Sequence, residues 1–196
     1  PDDYHYARTR LLCLENTTWG KVLPESYLKE AKILAEQRSL GLHLDGARIF
    51  NAAVEENVTV SKIASYFDSV SICLSKGLGA PVGSVLLGDV EFIAEARRWR
   101  KMLGGGMRQS GILAAAGLYA LKNNVNRLIE DHANAHKLAN SLGSIDGIDA
   151  EPAYTNMVFV SVQEEKRQGL IERLNNNNVL VTGFIGSRLR LVTHKD

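Results

Sequence analysis

The hydrophobic pattern of the first half of the chain alternates between short apolar runs and longer amphipathic stretches. The short runs, each of strand length, lie at 10–14, 42–44, 69–74 and 83–87. Apolar residues repeat with helical spacing at 24–38 and at 47–66, with a break near Asn57. Strands that alternate with helices predict an α/β fold with a mostly parallel sheet and right-handed helical crossovers.

The second half of the chain changes in character from residue 90 onward. Helical patterns and strand-like runs follow one another there, with helices at 92–102, 109–122, 124–142 and 164–174 and strands at 156–162, 179–182 and 189–192. This order predicts a small α+β domain after the sheet. We place the boundary near residue 122, which gives a first domain over 1–122 and a second over 123–196.

Composition and charge exclude several classes of protein. The 196 residues are 45% hydrophobic and 23% charged, and a net charge of +1 gives no basic excess for nucleic acid. No apolar run approaches the length of a membrane span, and no signal peptide is visible. Cys13 and Cys73 lie inside apolar runs without C-x-x-C spacing, so we expect buried, free thiols in a cytoplasmic protein. The chain begins at Pro1 and stops soon after a strand, and we interpret it as a segment of a longer protein.

Two functional side chains follow two of the predicted strands. Asp45 ends the run at 42–44, and Lys76 follows the run at 69–74, 31 residues further along. In an open α/β sheet, ligands bind beyond the carboxyl ends of the strands, so one helical crossover would bring this acid and this amine to one crevice. The pair suits pyridoxal phosphate, because its aldehyde binds a lysine as a Schiff base and its pyridinium nitrogen pairs with an acid.

Each residue also has a plain structural interpretation when it is taken alone. Asp45 could cap the helix that follows it, and Lys76 could be an exposed loop cation. Together they favour a ligand site, because Gly77, Gly79 and Gly83 would let a ligand approach the backbone closely. Burial of the lysine would also favour its neutral, nucleophilic amine.

An ordered set of motifs surrounds these two residues. The longest are His43-Leu-Asp-Gly-Ala-Arg48 and Ser75-Lys-Gly-Leu-Gly-Ala-Pro-Val-Gly-Ser84. Shorter stretches extend the set across nearly the whole chain, at 14–17, 20–24, 98–102, 104–111 and 190–194. In this order the set resembles the signature sequences of the low-specificity L-threonine aldolases, which belong to the fold-type I, aspartate-aminotransferase-like pyridoxal phosphate enzymes. The resemblance implies that 1–122 is the C-terminal portion of the large cofactor-binding domain and 123–196 a truncated small domain.

The resemblance also implies a role for each matching residue. Lys76 matches the catalytic lysine that binds the cofactor covalently, and Asp45 matches the acid that keeps the pyridine nitrogen protonated. Arg48 matches an arginine at the phenolic oxygen of the cofactor and at the substrate carboxylate. Arg190 matches the small-domain arginine that binds the same carboxylate, a task that suits a planar guanidinium.

Other polar residues have weaker assignments. Lys101 and Arg108 match basic residues near the active-site entrance or across a subunit interface, with a solvated basic helix face as the alternative. His132 and His136 lie four apart on a helix and could bind a metal, but a solvated helix face is favoured, and no metal site is expected. His194 lies beside Arg190 and borders the expected site. The family's phosphate-binding loop and its general base have no match here and would precede Pro1.

The function implied by the resemblance is cleavage of threonine or allo-threonine to glycine and an aldehyde with pyridoxal phosphate. The alternatives are β-elimination or transamination on the same fold, and a structural segment that is inactive without its N-terminal half. A phosphate-binding module built on the loop at 76–83 is disfavoured, because the P-loop spacing is absent. Expected partners are the amino-acid substrate, further copies of the chain in a dimer or tetramer, and a complementary N-terminal segment. Neither nucleic acid nor a membrane is expected.

Overall fold

In the computed structural model, which describes residues 3–183, 186 and 188–195, the strand-like runs of the first half pair as one sheet. Its strands lie in chain order as β1 (Leu11–Glu15), β2 (Gly41–Asp45), β3 (Ser69–Cys73) and β4 (Ser84–Leu87). The first three strands are parallel, as the alternation with helices predicts. The fourth is antiparallel to β3, because a short loop rather than a helical crossover connects them.

Three helices form the crossovers of this sheet: α1 (Glu25–Gln37), α2 (Ile49–Glu55) and α3 (Val60–Ala64). Leu28, Leu44, Ile49, Ile63 and Val70 are buried between these helices and the sheet and form one hydrophobic core. The break predicted near residue 57 is confirmed, since the residue there has a left-handed φ of 51° between α2 and α3. Helix α1 ends at Gln37, close to the end of the predicted helical pattern at 24–38, and Gly41 begins β2.

The next three helices connect the first sheet to the second: α4 (Val90–Met102), α5 (Gly111–Asn123) and α6 (Leu128–Gly143). The Asp89 carboxylate accepts a hydrogen bond of 2.7 Å from the Phe92 N–H and caps the start of α4. Helix α6 packs against α2 on one side and against the second sheet on the other. It therefore sets how the two sheets lie relative to each other.

The second sheet is antiparallel throughout, in the order β5-β6-β8-β7. Its elements are β5 (Ile148–Ala150), β6 (Met157–Val162), α7 (Glu164–Asn176), β7 (Thr182–Gly183) and β8 (Arg188–Val192). The sequence prediction missed β5, because three residues are too few to show alternation. The predicted strand at 179–182 is wrong in its first three positions. Val179 instead donates its N–H to the Leu174 carbonyl and closes the end of α7.

The turn after β1 joins the two sheets. Thr155 donates its hydroxyl to the Gly20 carbonyl over 2.7 Å, and both residues are buried. Gly20 has a φ of +77°, and a Cβ on it would lie 2.9 Å from the Met157 Cβ. A glycine is therefore required where the loop meets the beginning of β6.

The cysteines are free thiols, as expected, but the predicted burial of Cys13 is wrong. Leu11, Cys13 and Glu15 share the face of β1 that is left exposed in the described chain, whereas Cys73 is partly buried. Among the described residues, no helix is long and apolar enough to cross a membrane.

Candidate active site

The carboxyl ends of the first three strands lie side by side at one edge of the first sheet. Glu15 pairs in register with Asp45, and Asp45 pairs with Ser71. The main chain beyond the strand ends continues this pairing, since Asn16 N–H donates to the Asp45 carbonyl over 3.0 Å and Gly46 N–H donates to the Ser71 carbonyl over 2.8 Å. Asp45 therefore lies at the carboxyl end of β2, as predicted, and its place in a shared crevice with Lys76 stays a prediction.

The Asp45 carboxylate is exposed at this edge. Its Oδ1 accepts a hydrogen bond of 3.0 Å from the Ala47 N–H. This bond closes a turn, and α2 begins only four residues after Asp45, so the carboxylate is not the N-cap of that helix. A carboxylate has about four acceptor sites. Asp45 can therefore hold this turn and still accept a proton donor from a ligand.

Lys76 lies in a tight loop between β3 and β4. Its own carbonyl accepts the Gly79 N–H over 2.8 Å, and the Ala80 N–H donates to the Leu74 carbonyl over 2.9 Å. Asn124 donates its side-chain amide to the Leu78 carbonyl over 2.7 Å from the end of α5. The loop is therefore fixed from within and from α5, while the Lys76 side chain is only partly buried.

The glycines of this loop do not all serve the purpose that the sequence suggests. Gly79 has a φ of +71°, which the turn after Lys76 requires. A Cβ at Gly77 would lie 2.9 Å from the Leu128 Cδ2. Gly77 is therefore small because α6 packs closely against it rather than to admit a ligand.

The positive charge of Arg190, in β8 of the second sheet, acts on Arg48, which lies at the start of α2. Burial and then the positive charge of Arg190 lower the pKa of Arg48, while the electrostatic effects of Glu15, Cys73 and Asp45 raise it. Arg48 stays protonated, because the guanidinium pKa is far above neutrality. Its Nε is buried and has no hydrogen-bond partner in the described part of the chain. Two cations and an unsatisfied N–H donor form a place where an anionic group would be stabilised.

The structure does not connect Lys101 or Arg108 to the other candidate site residues that it describes. Lys101 lies at the exposed end of α4, and Arg108 lies in the exposed loop before α5. In residues 3–183, 186 and 188–195, no hydrogen bond or ion pair joins either side chain to Lys76, Asp45 or Arg48. Their assignment to an active-site entrance stays a prediction.

The two histidines of α6 differ in their burial, and the prediction was wrong for one of them. His132 is not on a solvated face: it is 4% exposed. Its Nδ1 lies 3.0 Å from a Glu55 carboxylate oxygen, and its Nε2 lies 3.1 Å from the Asn51 amide nitrogen. The helical spacing alone could not reveal that α2 covers this face of α6. His136 is exposed as expected, and no group of potential metal ligands occurs among the described residues.

Three further residues at the site were given no role in the sequence analysis. Glu15 and Asn16 end β1 beside Asp45, and the buried Asn16 Nδ2 has no hydrogen-bond partner within the described chain. His194 extends from the end of β8, and its Nε2 lies 2.7 Å from the Lys76 carbonyl oxygen. The rule that places ligands at strand ends could have found the first two. A contact over 118 residues of sequence could not be found in this way.

The donor set of this edge fits pyridoxal phosphate. It combines an exposed carboxylate, a primary amine on a rigid loop and a guanidinium with an unsatisfied Nε–H. These are the groups that would hold a pyridine nitrogen, an aldehyde and an oxyanion.

Comparison with known proteins agrees with this geometry. A family model described as beta-eliminating lyase matches residues 1–165. The chain belongs to this family. Pyridoxal phosphate, the cofactor expected from the sequence, is the cofactor of the family.

Individual relatives are close in sequence and in structure. A low-specificity L-threonine aldolase of Escherichia coli strain K12 is 57% identical over 196 residues, which cover 100% of this chain and 58% of the relative. Low-specificity L-threonine aldolase 1 of Arabidopsis thaliana is 44% identical over 197 residues, which cover 96% of this chain and 55% of the relative. The solved threonine aldolase of Leishmania major superposes with a TM-score of 0.78 at 21% identity, over 98% of this chain and 58% of that one.

These matches confirm the resemblance and the fold class that the motifs imply. The relatives carry the family name suggested by the sequence, and the structural match confirms the fold-type I architecture. The chain spans a little more than half the length of these relatives.

Proposed function

We propose that the complete protein cleaves the Cα–Cβ bond of L-threonine, L-allo-threonine and related β-hydroxy-α-amino acids, and releases glycine and an aldehyde. The observation that carries the proposal is that Asp45 ends β2 and Arg48 begins α2 at the edge of the sheet that the Lys76 loop follows, while the positive charge of Arg190 in β8 acts on Arg48. Sequence similarity to low-specificity L-threonine aldolases along the whole chain supports it.

Lys76, Asp45 and Arg48 are the residues that would hold pyridoxal phosphate. When bound, the cofactor supplies a pyridinium ring that accepts the electron pair of the broken bond. The Lys76 amine would hold the cofactor at its aldehyde. The Asp45 carboxylate would keep a proton on the ring nitrogen, because a negative charge beside it favours the charged form.

Arg48 and Arg190 would bind the substrate carboxylate. Their mutual repulsion is part of why the pKa of Arg48 is lowered, and an anion placed between two cations removes that repulsion. A guanidinium can also donate two parallel hydrogen bonds to one carboxylate, which orients the substrate and not only attracts it. The two arginines would therefore fix the amino acid so that one Cα bond is aligned for cleavage.

Finer features of the function are proposals of the same kind. Lys101 and Arg108 would line the entrance to the site or reach it from a second subunit. Cleavage of threonine would place the protein in threonine catabolism and in glycine formation, in the cytoplasm. The division into domains at 122/123 is likewise proposed, and it is supported by the change from the first sheet to the second along α5 and α6.

Dimers or tetramers are proposed as the working form. Apolar side chains of β4, α4 and α5 support this proposal because they are exposed in the described chain, and α4 has no buried residue. A surface of this kind favours association with another protein surface. A complementary N-terminal segment of the complete protein would cover part of the same region.

Product analysis separates the proposed reaction from its main alternative, β-elimination, which the description of the family favours. The complete protein, loaded with pyridoxal phosphate, is incubated with L-threonine and with L-allo-threonine. We expect glycine and acetaldehyde in equal amounts. Ammonia and a keto acid, without glycine, would contradict the proposal and support β-elimination. Transfer of the amino group to an added keto acid would instead support transamination.

A further inference from the structure

The lysine loop receives a hydrogen bond from the second sheet. His194 Nε2 lies 2.7 Å from the Lys76 carbonyl oxygen. Because a carbonyl oxygen only accepts hydrogen bonds, Nε2 must carry the proton and donate it. The His194 ring also lies beside the turn that follows the lysine, since its Cε1 would be 3.9 Å from a Cβ on Gly79.

This bond completes the hydrogen bonding of the Lys76 carbonyl. The oxygen already accepts the Gly79 N–H over 2.8 Å from within the loop. A carbonyl oxygen has two lone pairs, and the two donors together use both. The main chain from which the Lys76 side chain extends is therefore held by one bond from its own loop and by one from the second sheet.

The segment that carries His194 is itself firmly held. Thr193 N–H donates to the Asn156 carbonyl over 3.0 Å, and the Thr193 hydroxyl donates to the Asp131 carbonyl over 2.6 Å. Asp131 is buried, and Arg127 donates to both of its carboxylate oxygens over 2.8–2.9 Å. His194 is thus positioned by α6 and by the residue that precedes β6, and it can position another residue in turn.

We propose that His194 is a positioning residue that sets the main chain at Lys76 and links it to the second sheet. The proposal rests on the proposed function, in which Lys76 is the lysine that holds the cofactor. Arg190 is four residues before His194 on the same segment. A movement of this segment would therefore shift the positions of both the carboxylate-binding arginine and the lysine. The lysine would be correctly placed only when the second sheet is packed against the lysine loop.

The position of the donor atom can be tested with two amides of different length in the complete protein. His194→Gln places an amide nitrogen near the position of Nε2, whereas His194→Asn is too short to reach the Lys76 carbonyl. His136→Gln is the matched control, because His136 is exposed on α6. The cofactor is removed from each protein, and pyridoxal phosphate is added back. The dissociation constant is read from the visible absorbance of the bound cofactor, and the melting temperature is measured separately.

We expect His194→Asn to raise the dissociation constant roughly tenfold, as the loss of one hydrogen bond predicts. His194→Gln should stay within roughly twofold of the unmodified protein, and the His136 variant should be unchanged. The kcat for threonine should follow the same order. Equal dissociation constants for His194→Gln and His194→Asn would overturn the proposal, whether both are native-like or both impaired. An equally lowered melting temperature in both variants would leave this comparison valid. A general loss of stability would affect both variants alike, whereas a positioning role predicts different dissociation constants, because only glutamine is long enough to reach the Lys76 carbonyl.

A second measurement separates this inference from the proposed function. Borohydride reduction and peptide mapping of the unmodified protein show which lysine holds the cofactor. Cofactor on a lysine other than Lys76 would overturn the proposed function. Cofactor on Lys76 with no difference between the two amides would overturn the positioning role alone.

Discussion

Arg48 lies at the start of α2, after the first sheet, and Arg190 lies in β8 of the second sheet. Burial and then the positive charge of Arg190 lower the pKa of Arg48, against the opposing effects of Glu15, Cys73 and Asp45. A pKa shifted by burial and by a specific charged neighbour is typical of a functional site. The motif that contains Arg48 could be recognised in the sequence, but its closeness to Arg190 depends on how the two sheets meet.

Removal of Arg190 should weaken binding of the amino acid. In Arg190→Ala, the carboxylate would lose a charge-assisted hydrogen bond worth roughly 1.5–3 kcal/mol, which corresponds to roughly tenfold or more in the KM for L-threonine. Arg190→Lys should recover only part of the loss, since an ammonium keeps the charge without the planar fork. Arg173→Ala, at an exposed position of α7, is the control. Unchanged kinetics in Arg190→Ala would remove this residue from the site.

At the scale of single elements, most helices and strands could be predicted from the sequence, because apolar periodicity determines which face of each is buried. The predictions failed where tertiary contacts override the local pattern. The last apolar residues before β7 close the end of α7 rather than pair as a strand, and His132 is buried because α2 lies over it. The edge of the sheet that carries Asp45 could be predicted, since it follows from strand order. The contact of His194 with the lysine loop could not be predicted, because no local pattern in the sequence indicates it.

The turn after β1 depends on a single glycine. Gly20→Ala should lower the free energy of unfolding by roughly 1–3 kcal/mol, because the backbone at a φ of +77° is unfavourable for alanine and the new Cβ would meet Met157. Gly143→Ala is the matched control: a Cβ at this last residue of α6 lies 3.8 Å from the Ala150 Cβ, an ordinary contact. Denaturant unfolding of both variants measures the difference. Equal stability of the two would show that the turn does not require glycine.

The contact between α2 and α6 should make folding sensitive to acid. Burial lowers the pKa of His132 below its ordinary value of 6.5, against the opposing effects of Glu55 and Asp131. In the unfolded chain this imidazole binds a proton near pH 6.5, whereas in the folded chain it stays neutral to lower pH. The stability that neutral His132 provides is therefore present above pH 6.5 and is lost as the pH falls through the folded pKa.

Denaturant unfolding between pH 7.5 and pH 5 tests this effect. His132→Gln cannot titrate, so its free energy of unfolding should fall less on acidification than that of the unmodified protein. The difference in slope should be at most about 1.4 kcal/mol per pH unit, the value for one proton. His136→Gln should keep the native slope, because His136 is exposed. A native slope in His132→Gln would show that other groups cause the acid sensitivity.

At the scale of the whole molecule, each sheet buries a hydrophobic core against its helices, but one region of the described chain has exposed apolar side chains. It includes Trp99 and Leu103, which are 57% and 81% exposed, at the end of α4. Contiguous apolar surface of this kind is typical of an interface with another chain or another segment. The sequence indicated a helix at 92–102, and only the folded arrangement shows that its apolar side chains are left uncovered in the described chain.

Assembly of the complete protein should depend on this region. Light scattering with mass determination should give a dimer or tetramer, because association removes the exposed apolar area from water. Replacement of both Trp99 and Leu103 by glutamate should lower the mass towards that of a monomer, because charges would be buried at the interface. Ile33→Glu, at an exposed position of α1, is the control. A monodisperse monomer of the unmodified protein would contradict the prediction.

Peptide mapping after borohydride reduction tests whether Lys76 holds the cofactor at the edge of the first sheet. The complete protein is loaded with pyridoxal phosphate, reduced and digested, and the modified peptide is identified by mass. We expect cofactor on Lys76 and none in Lys76→Ala or in Lys76→Arg, whose guanidinium stays charged and cannot react. Lys137→Ala, at an exposed position of α6, should be modified like the unmodified protein. Cofactor fixed on another lysine, such as Lys101, would contradict the account.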